Sequence, residues 1–260
     1  MVPCGTQIKF NHRSRTMITR KIHYCWFGGR PLPLQAKRCL ASWAYHLPDY
    51  EVVCWNEDNF DFNSHPFPAA AYKAKRYAFV ADYVRMWALQ NQGGIYMDTD
   101  VQVCGSFDKL LKNAFFIGLE DYKRFGTAVI GSKANHWLAE EMLNFYDETL
   151  FDENDLSNLV NVNEVSKLLL DHGFTGFGDE EEIDGDHVFA IGYFADAKNL
   201  AKGKIKPLAR HLYSGSWRTK KKKNLIMIGW KHLRKTPEKI SDLLHLAYYK
   251  LRVIYKGNSN

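Results

Sequence analysis

YAFVADYVRMWALQNQGGIYMDTD (Tyr77–Asp100) is the stretch from which the fold is read. Apolar residues recur at helical spacing from Tyr77 to Gln92, and Gly93-Gly94 supplies the C-terminal stop. Ile95–Met97 then reads as a short apolar strand running into Asp98-Thr99-Asp100. Within the helix Asp82 and Arg85 stand three apart, hence on one face. In so apolar a setting they form either an internal salt bridge or a polar pair aimed into a site.

Working outward, Ile22–Phe27 predicts a first strand closed by Gly28-Gly29, Leu34–Tyr45 a helix, and Glu51–Trp55 a second strand. Downstream, Ala114–Leu119 and Thr127–Gly131 predict strands, and Asn135–Leu150 and Asn161–His172 predict helices. Strands alternating with helices imply an α/β fold with a mostly parallel central sheet flanked by helices and a site at the strand carboxyl ends. Residues 151–186 are acidic, and their closing run Gly178–Asp184 reads as a solvated loop.

The chain of 260 residues has room for one large α/β domain, and its 46% hydrophobic and 25% charged residues exclude wholesale disorder. No apolar run approaches the ~20 residues of a membrane span. Five widely spaced cysteines with no CxxC pair argue against a disulfide scaffold or zinc ribbon and for a reducing cytoplasm. The first sixteen residues lack a signal-peptide pattern and read as an extension ahead of Met17, leaving a domain over 17–217.

Charge is divided unevenly. Residues 201–260 carry 16 basic against 2 acidic side chains, whereas residues 1–200 carry 19 against 27. The basic segment 218–260 opens with RTKKKK, continues through Ile226, Ile228, Trp230 and Leu233, and ends in an expected amphipathic helix from Pro237 to Tyr255. That composition suits an anionic membrane surface, placing the protein peripherally on an inner leaflet. Nucleic acid is not an expected partner, because no helix-turn-helix, RNP or zinc pattern accompanies the lysines.

The chemistry-bearing residues begin with Asp98 and Asp100. In an extended strand, side chains two apart point to one side, so the two carboxylates would converge on a hard divalent cation, which prefers oxygen ligands. The fragment HLYSGSW (His211–Trp217) adds an imidazole, two serine hydroxyls and an indole. It reads as a strand-end metal ligand with a stacking ring, or as a turn with a core tryptophan.

IHYCWFGG (Ile22–Gly29), YAFVADYVR, GGIYMDTD and the late His-x-x-x-x-Ser-Trp together resemble the DXD sugar-binding glycosyltransferases of family 32. That family includes bacterial capsular polysaccharide transferases, yeast Och1-type mannosyltransferases and relatives of the clostridial glucosylating toxins. The resemblance implies a GT-A fold and a metal-dependent, retaining hexosyl transfer from a nucleotide sugar with Mn²⁺ or Mg²⁺. A UDP-sugar is favoured over GDP-mannose, because Trp26 resembles the toxins' uracil-stacking tryptophan. The implied acceptor is a saccharide or lipid-linked saccharide of bacterial surface polysaccharide synthesis. By the same resemblance Asp82 and Arg85 hold the donor sugar, Tyr96 lines its pocket, Asp98 bridges ribose, sugar or metal, and Asp100 ligates the metal. His211 completes the shell, and Ser216 and Trp217 close over the diphosphate. Leu212 stands where many relatives place a second histidine.

Two other readings compete. Haloacid-dehalogenase-type phosphohydrolases also place DxD after an apolar strand, but there it opens the domain, and here nearly a hundred residues precede it. Their downstream GDxxxD fails as well, since Asp179 and Asp184 are five apart. A non-enzymatic basic module acting through residues 218–256 is the other.

Overall fold

The computed structural model describes residues 17–194 and 205–213. The extension 1–16, Ser216, Trp217 and the basic segment 218–260 with its expected helix Pro237–Tyr255 lie outside the described residues. In chain order the elements are β1 (Lys21–Cys25), α1 (Leu34–His46), β2 (Glu51–Trp55), α2 (Pro66–Lys73), α3 (Tyr77–Gln92), β3 (Gly94–Met97) and β4 (Val101–Val103). They continue with β5 (Phe115–Asp121), β6 (Arg124–Ser132), α4 (Trp137–Glu148), α5 (Asn161–Asp171), β7 (Glu181–Ile183), β8 (Asp186–Phe189) and β9 (Ala209–His211).

Seven strands form the main sheet in the order β2-β1-β3-β6-β5-β8-β7, and β4 and β9 make a separate ribbon. Five of the seven run one way; β6 and β7 run against them. The departure from a parallel sheet has a local cause. Only Tyr122 and Lys123 link β5 to β6, and a parallel return needs a crossover of a dozen or more residues.

The run Gly178–Asp184, expected as a solvated loop, is instead part of a hairpin, with Glu181–Ile183 paired to β8. Asp184 (φ 50°) and Gly185 (φ 89°) form its two-residue turn, a conformation that Asp-Gly favours. Ile183 packs on the core, and the Glu181 carboxylate accepts from the Thr175 and Gly176 N–H groups at 2.6 and 2.8 Å. The acidic composition hid these anchors.

The sheet separates two apolar layers, and the period of two decides which residue enters which. On β3, Tyr96 faces the layer of α2, α3, α4 and α5, while Ile95 and Met97 face the layer of α1 and β4. Phe115 and Phe116 divide in the same way, and truncation of either to alanine is expected to cost about 3–5 kcal/mol. Helix α3 lies between the sheet and α2 and α4, with Phe79, Val80, Val84, Met86 and Leu89 buried. Arg85 is therefore carried into the interior. Helix α2 escaped the sequence reading; the His65 side chain accepts from Phe67 N–H, and Pro66 occupies its first turn.

Candidate active site

Tyr96, projecting from β3 toward α3, meets the Arg85 guanidinium, whose central carbon lies 4.3 Å from the ring centroid. Arg85 Nη2 donates to Asp98 Oδ1 at 3.0 Å and stands 3.2 Å from Asp82 Oδ1. The Tyr96 hydroxyl donates to the same Asp98 oxygen at 3.1 Å. Arg85 is 3% exposed, and its Nε and Nη1 are buried with no hydrogen-bond partner. Two spare donors inside an apolar helix layer call for a ligand or a water.

Asp82 is fixed from its far side. Asn161, the first residue of α5, donates from Nδ2 to Asp82 Oδ1 at 2.9 Å, and Thr127 on β6 donates to Asn161 Oδ1 at 3.2 Å. Burial pushes the Asp82 carboxyl up to about 7; Arg85 pulls it down, and Asp98 adds to the rise. Neither Asn161 nor Thr127 lies in a motif, so neither is legible as a site residue before the fold is known.

The Asp98-Thr99-Asp100 segment is a turn rather than the expected extended strand: Val101 N–H donates to the Asp98 carbonyl at 3.0 Å. The ribbon that follows restores the convergence. Val101 of β4 pairs with His211 of β9, and Leu212 N–H donates to the Asp100 carbonyl at 3.0 Å. His211 Nε2 then lies 3.3 Å from Asp100 Oδ1. One ligand-capable atom each from Asp98, Asp100 and His211 lies within 4.8 Å of the others. Burial disfavours the His211 imidazolium, but its hydrogen bond to Asp100 and the Asp100, Asp98 and Glu120 charges outweigh that, so its pKa is raised. Asp98 is raised by burial, against the pull of Arg85 and His211.

Trp26 follows β1, the parallel neighbour of β3, and so sits at the same sheet edge as Asp98. It is half-buried, and its indole N–H donates to the Arg30 carbonyl. Its loop is tethered by a residue that the sequence reading passed over. Glu57 Oε1 accepts from Gly28 N–H at 2.6 Å and from the Tyr72 hydroxyl at 2.9 Å. Burial acts against the Glu57 carboxylate, yet these hydrogen bonds leave its pKa lowered. Gly28 has φ +91°, and a Cβ there would meet the Tyr77 ring at 2.4 Å. Ser216 and Trp217 lie outside the described residues.

Residues 33–116 match the family described as the glycosyltransferase sugar-binding region containing a DXD motif. That stretch therefore carries a DXD glycosyltransferase sugar-binding region, with Asp98 and Asp100 as its motif. A mixed sheet with the carboxylate pair at its carboxyl edge is the arrangement expected of the GT-A type. Among solved structures the chain is similar to the PaToxG glycosyltransferase, at 16% identity and a TM-score of 0.48 over 60% of this chain and 70% of that one. It is similar also to the apo-form glycosyltransferase GlyE of Streptococcus pneumoniae TIGR4, at 12% identity and a TM-score of 0.47 over 93% of this chain. It spans 63% of the GlyE chain. A third likeness is to the UDP-bound glycosyltransferase domain of the YGT toxin, at 13% identity and a TM-score of 0.35 over 59% of this chain and 68% of that one. A search of curated proteins finds no match. The phosphohydrolase reading gains nothing from the site, because Asp98, which would be its nucleophile, is occupied by Arg85 and Tyr96.

Proposed function

We propose that the glycosyltransferase moves a hexose from a nucleotide sugar, with a UDP-sugar favoured, to a saccharide or lipid-linked saccharide acceptor in surface polysaccharide synthesis, with retention of configuration. The observation that carries this reading is the convergence of Asp98, Asp100 and His211 on one point, with Arg85 tied to the first of them. Two carboxylate oxygens and an imidazole nitrogen are a donor set that Mn²⁺ accepts readily and Mg²⁺ tolerates. When bound, such a cation would supply charge neutralisation for the departing diphosphate.

The chain's own residues do the rest. Trp26 stacks on the nucleotide base at the carboxyl edge of β1, and Tyr96 lines the donor pocket. Asp82, with 16% of its side chain still exposed, and the spare Arg85 donors hold the donor sugar's hydroxyls. Ser216 and Trp217 close over the diphosphate. The carboxylates around the site are engaged: Asp98 by Arg85 and Tyr96, Asp82 by Arg85 and Asn161, Asp100 by His211, and Glu120 by Arg124. With none of them placed as a nucleophile, same-face displacement fits best. The sugar–phosphate bond breaks, the acceptor hydroxyl attacks the face that the diphosphate leaves, and its proton passes to a departing phosphate oxygen.

Among the described residues no helix is long and apolar enough to cross a membrane. Contact with an anionic inner leaflet is assigned to residues 218–260; pelleting with phosphatidylglycerol vesicles at low salt, lost on truncation after Arg218, is its test. The transfer itself is tested by release of nucleoside diphosphate from UDP-glucose, UDP-galactose, UDP-N-acetylhexosamines and GDP-mannose, each with Mn²⁺ and with EDTA. Stabilisation and turnover by one donor, abolished by EDTA, are expected. Full activity in EDTA refutes the metal assignment.

A further inference from the structure

Two aromatic rings stand exposed beyond this site. Tyr122 and Phe177 are 59% and 56% exposed, yet they stack on each other with centroids 5.3 Å apart and planes 28° from parallel. Single exposed apolar residues are ordinary, but two rings stacked on each other make a contiguous apolar patch that a partner can use.

The pair is built, and its two turns are locked backbone to backbone. Lys123 N–H donates to the Gly176 carbonyl at 2.8 Å, while Glu181 holds the Thr175 and Gly176 N–H groups. Gly176 has φ +65°, and a Cβ there would come within 2.9 Å of the Lys123 Cα, so only glycine lets the turns meet. Lys123 Nζ lies 5.3 Å from the Phe177 centroid and helps to fix that ring in place.

Position supplies the rest. β5 runs in the same direction as β3, so the turn after it rises from the sheet edge that carries Asp98. Glu120, two residues before Tyr122, lines one cleft with His211, Tyr213, Gly118 and Gly126. His211 belongs to the Asp98–Asp100–His211 cluster, and the two residues from Glu120 to Tyr122 span at most about 7 Å. The donor groups Asp82, Arg85 and Tyr96 stand on the α3 side of the cluster.

From this juxtaposition we infer that Tyr122 and Phe177 form a stacking subsite for a pyranose ring of the acceptor. The electron-rich ring faces meet the sugar's polarised C–H face, and hydroxyls at its rim stay in water. The inference rests on the hexosyl-transfer reading but concerns a separate binding event.

The full chain and its Tyr122→Ala, Phe177→Ala and Tyr122→Phe variants would be labelled and placed on a glycan array, with no donor present. Wild type and Tyr122→Phe should retain a saccharide class that both alanine variants lose. Once an acceptor is found, the alanine variants should raise its KM by at least about fivefold, with donor KM and acceptor-free UDP release unchanged. Array binding that depends on Tyr122 without any donor turnover would keep the subsite and sink the hexosyl-transfer reading. No saccharide retained by the wild type would overturn the subsite, as would equal retention by the alanine variants. Concentration-dependent dimerisation lost in Tyr122→Ala would also overturn it, assigning the face to a second copy of the chain.

Discussion

Arg85 Nη2 lies 3.0 Å from Asp98 Oδ1 and 3.2 Å from Asp82 Oδ1, so one buried cation joins the helix carboxylate to the DXD carboxylate. The internal salt bridge is present, and it extends to the DXD carboxylate. Its members respond differently to substitution. Arg85→Met leaves two carboxylates without their partner and should cost about 3–5 kcal/mol in chemical denaturation. Asp82 is already pushed up to about 7, so its neutral form is cheap and Asp82→Asn should leave the fold nearly as stable. Turnover in that variant should fall by roughly 10²-fold, because one of the oxygens proposed to accept from the donor sugar becomes an N–H donor. Normal turnover per folded molecule in Asp82→Asn would make the pair mere scaffold.

Asp100 is the clearest test of the cation. Asp100→Ala removes one oxygen of the three-residue donor set and the hydrogen-bond partner that raises His211. Mn²⁺ affinity, titrated calorimetrically into the full chain, should fall by at least about tenfold, and Mn²⁺-dependent UDP binding should fall with it. Wild-type Mn²⁺ affinity in this variant would end the assignment.

Glu57 holds the loop that carries Trp26 through Gly28 and Tyr72. Glu57→Ala frees Gly28 N–H and the Tyr72 hydroxyl, whereas Glu57→Gln keeps an acceptor oxygen for both. The alanine variant should raise the donor KM by roughly fivefold at unchanged kcat, equivalent to about 1 kcal/mol of lost binding. The glutamine variant should restore most of it. A fall in kcat alone would overturn the base-holding role proposed for this loop.

The helix Tyr77–Gln92, the strand Glu51–Trp55 and the sheet edge carrying the DXD turn were legible because periodicity and the Gly93-Gly94 stop act locally. The reversed direction of β6 was legible only from the two-residue Tyr122-Lys123 link, and β7 from Asp184-Gly185, signals outweighed by alternation and by acidic composition. The β4–β9 ribbon could not be read at all. It pairs Val101 with His211 across more than a hundred residues, and each strand is only three residues long. Composition therefore leaves His211 between a metal ligand and a turn residue, the family resemblance favours the ligand, and its placement depends on a long-range pairing. Asn161 and Thr127 were silent for the same reason, since each acts only through the partner that the fold delivers.

His23 gives a prediction for pH. The ring is fully buried; Nε2 lies 2.8 Å from the Gly93 carbonyl, and the Trp55 indole N–H donates to Nδ1 at 3.2 Å. These partners require the neutral tautomer with its proton on Nε2. A second proton on Nδ1 would face the indole N–H, donor against donor. Burial, chiefly, holds the pKa below 6.5, although the Gly93 hydrogen bond works in the opposite direction. The sign follows from which state takes up the proton. Below pH 6.5 the unfolded chain binds a proton at His23 that the folded chain refuses, so stability falls as pH falls through this range. One such proton can contribute a slope of at most about 1.4 kcal/mol per pH unit. His23→Gln should be less stable than wild type at pH 7.5, having lost the acceptor for Trp55, and the gap should narrow toward pH 5. Denaturant titrations of both proteins across that range measure it; a gap that stays constant with pH would show that His23 does not titrate on unfolding.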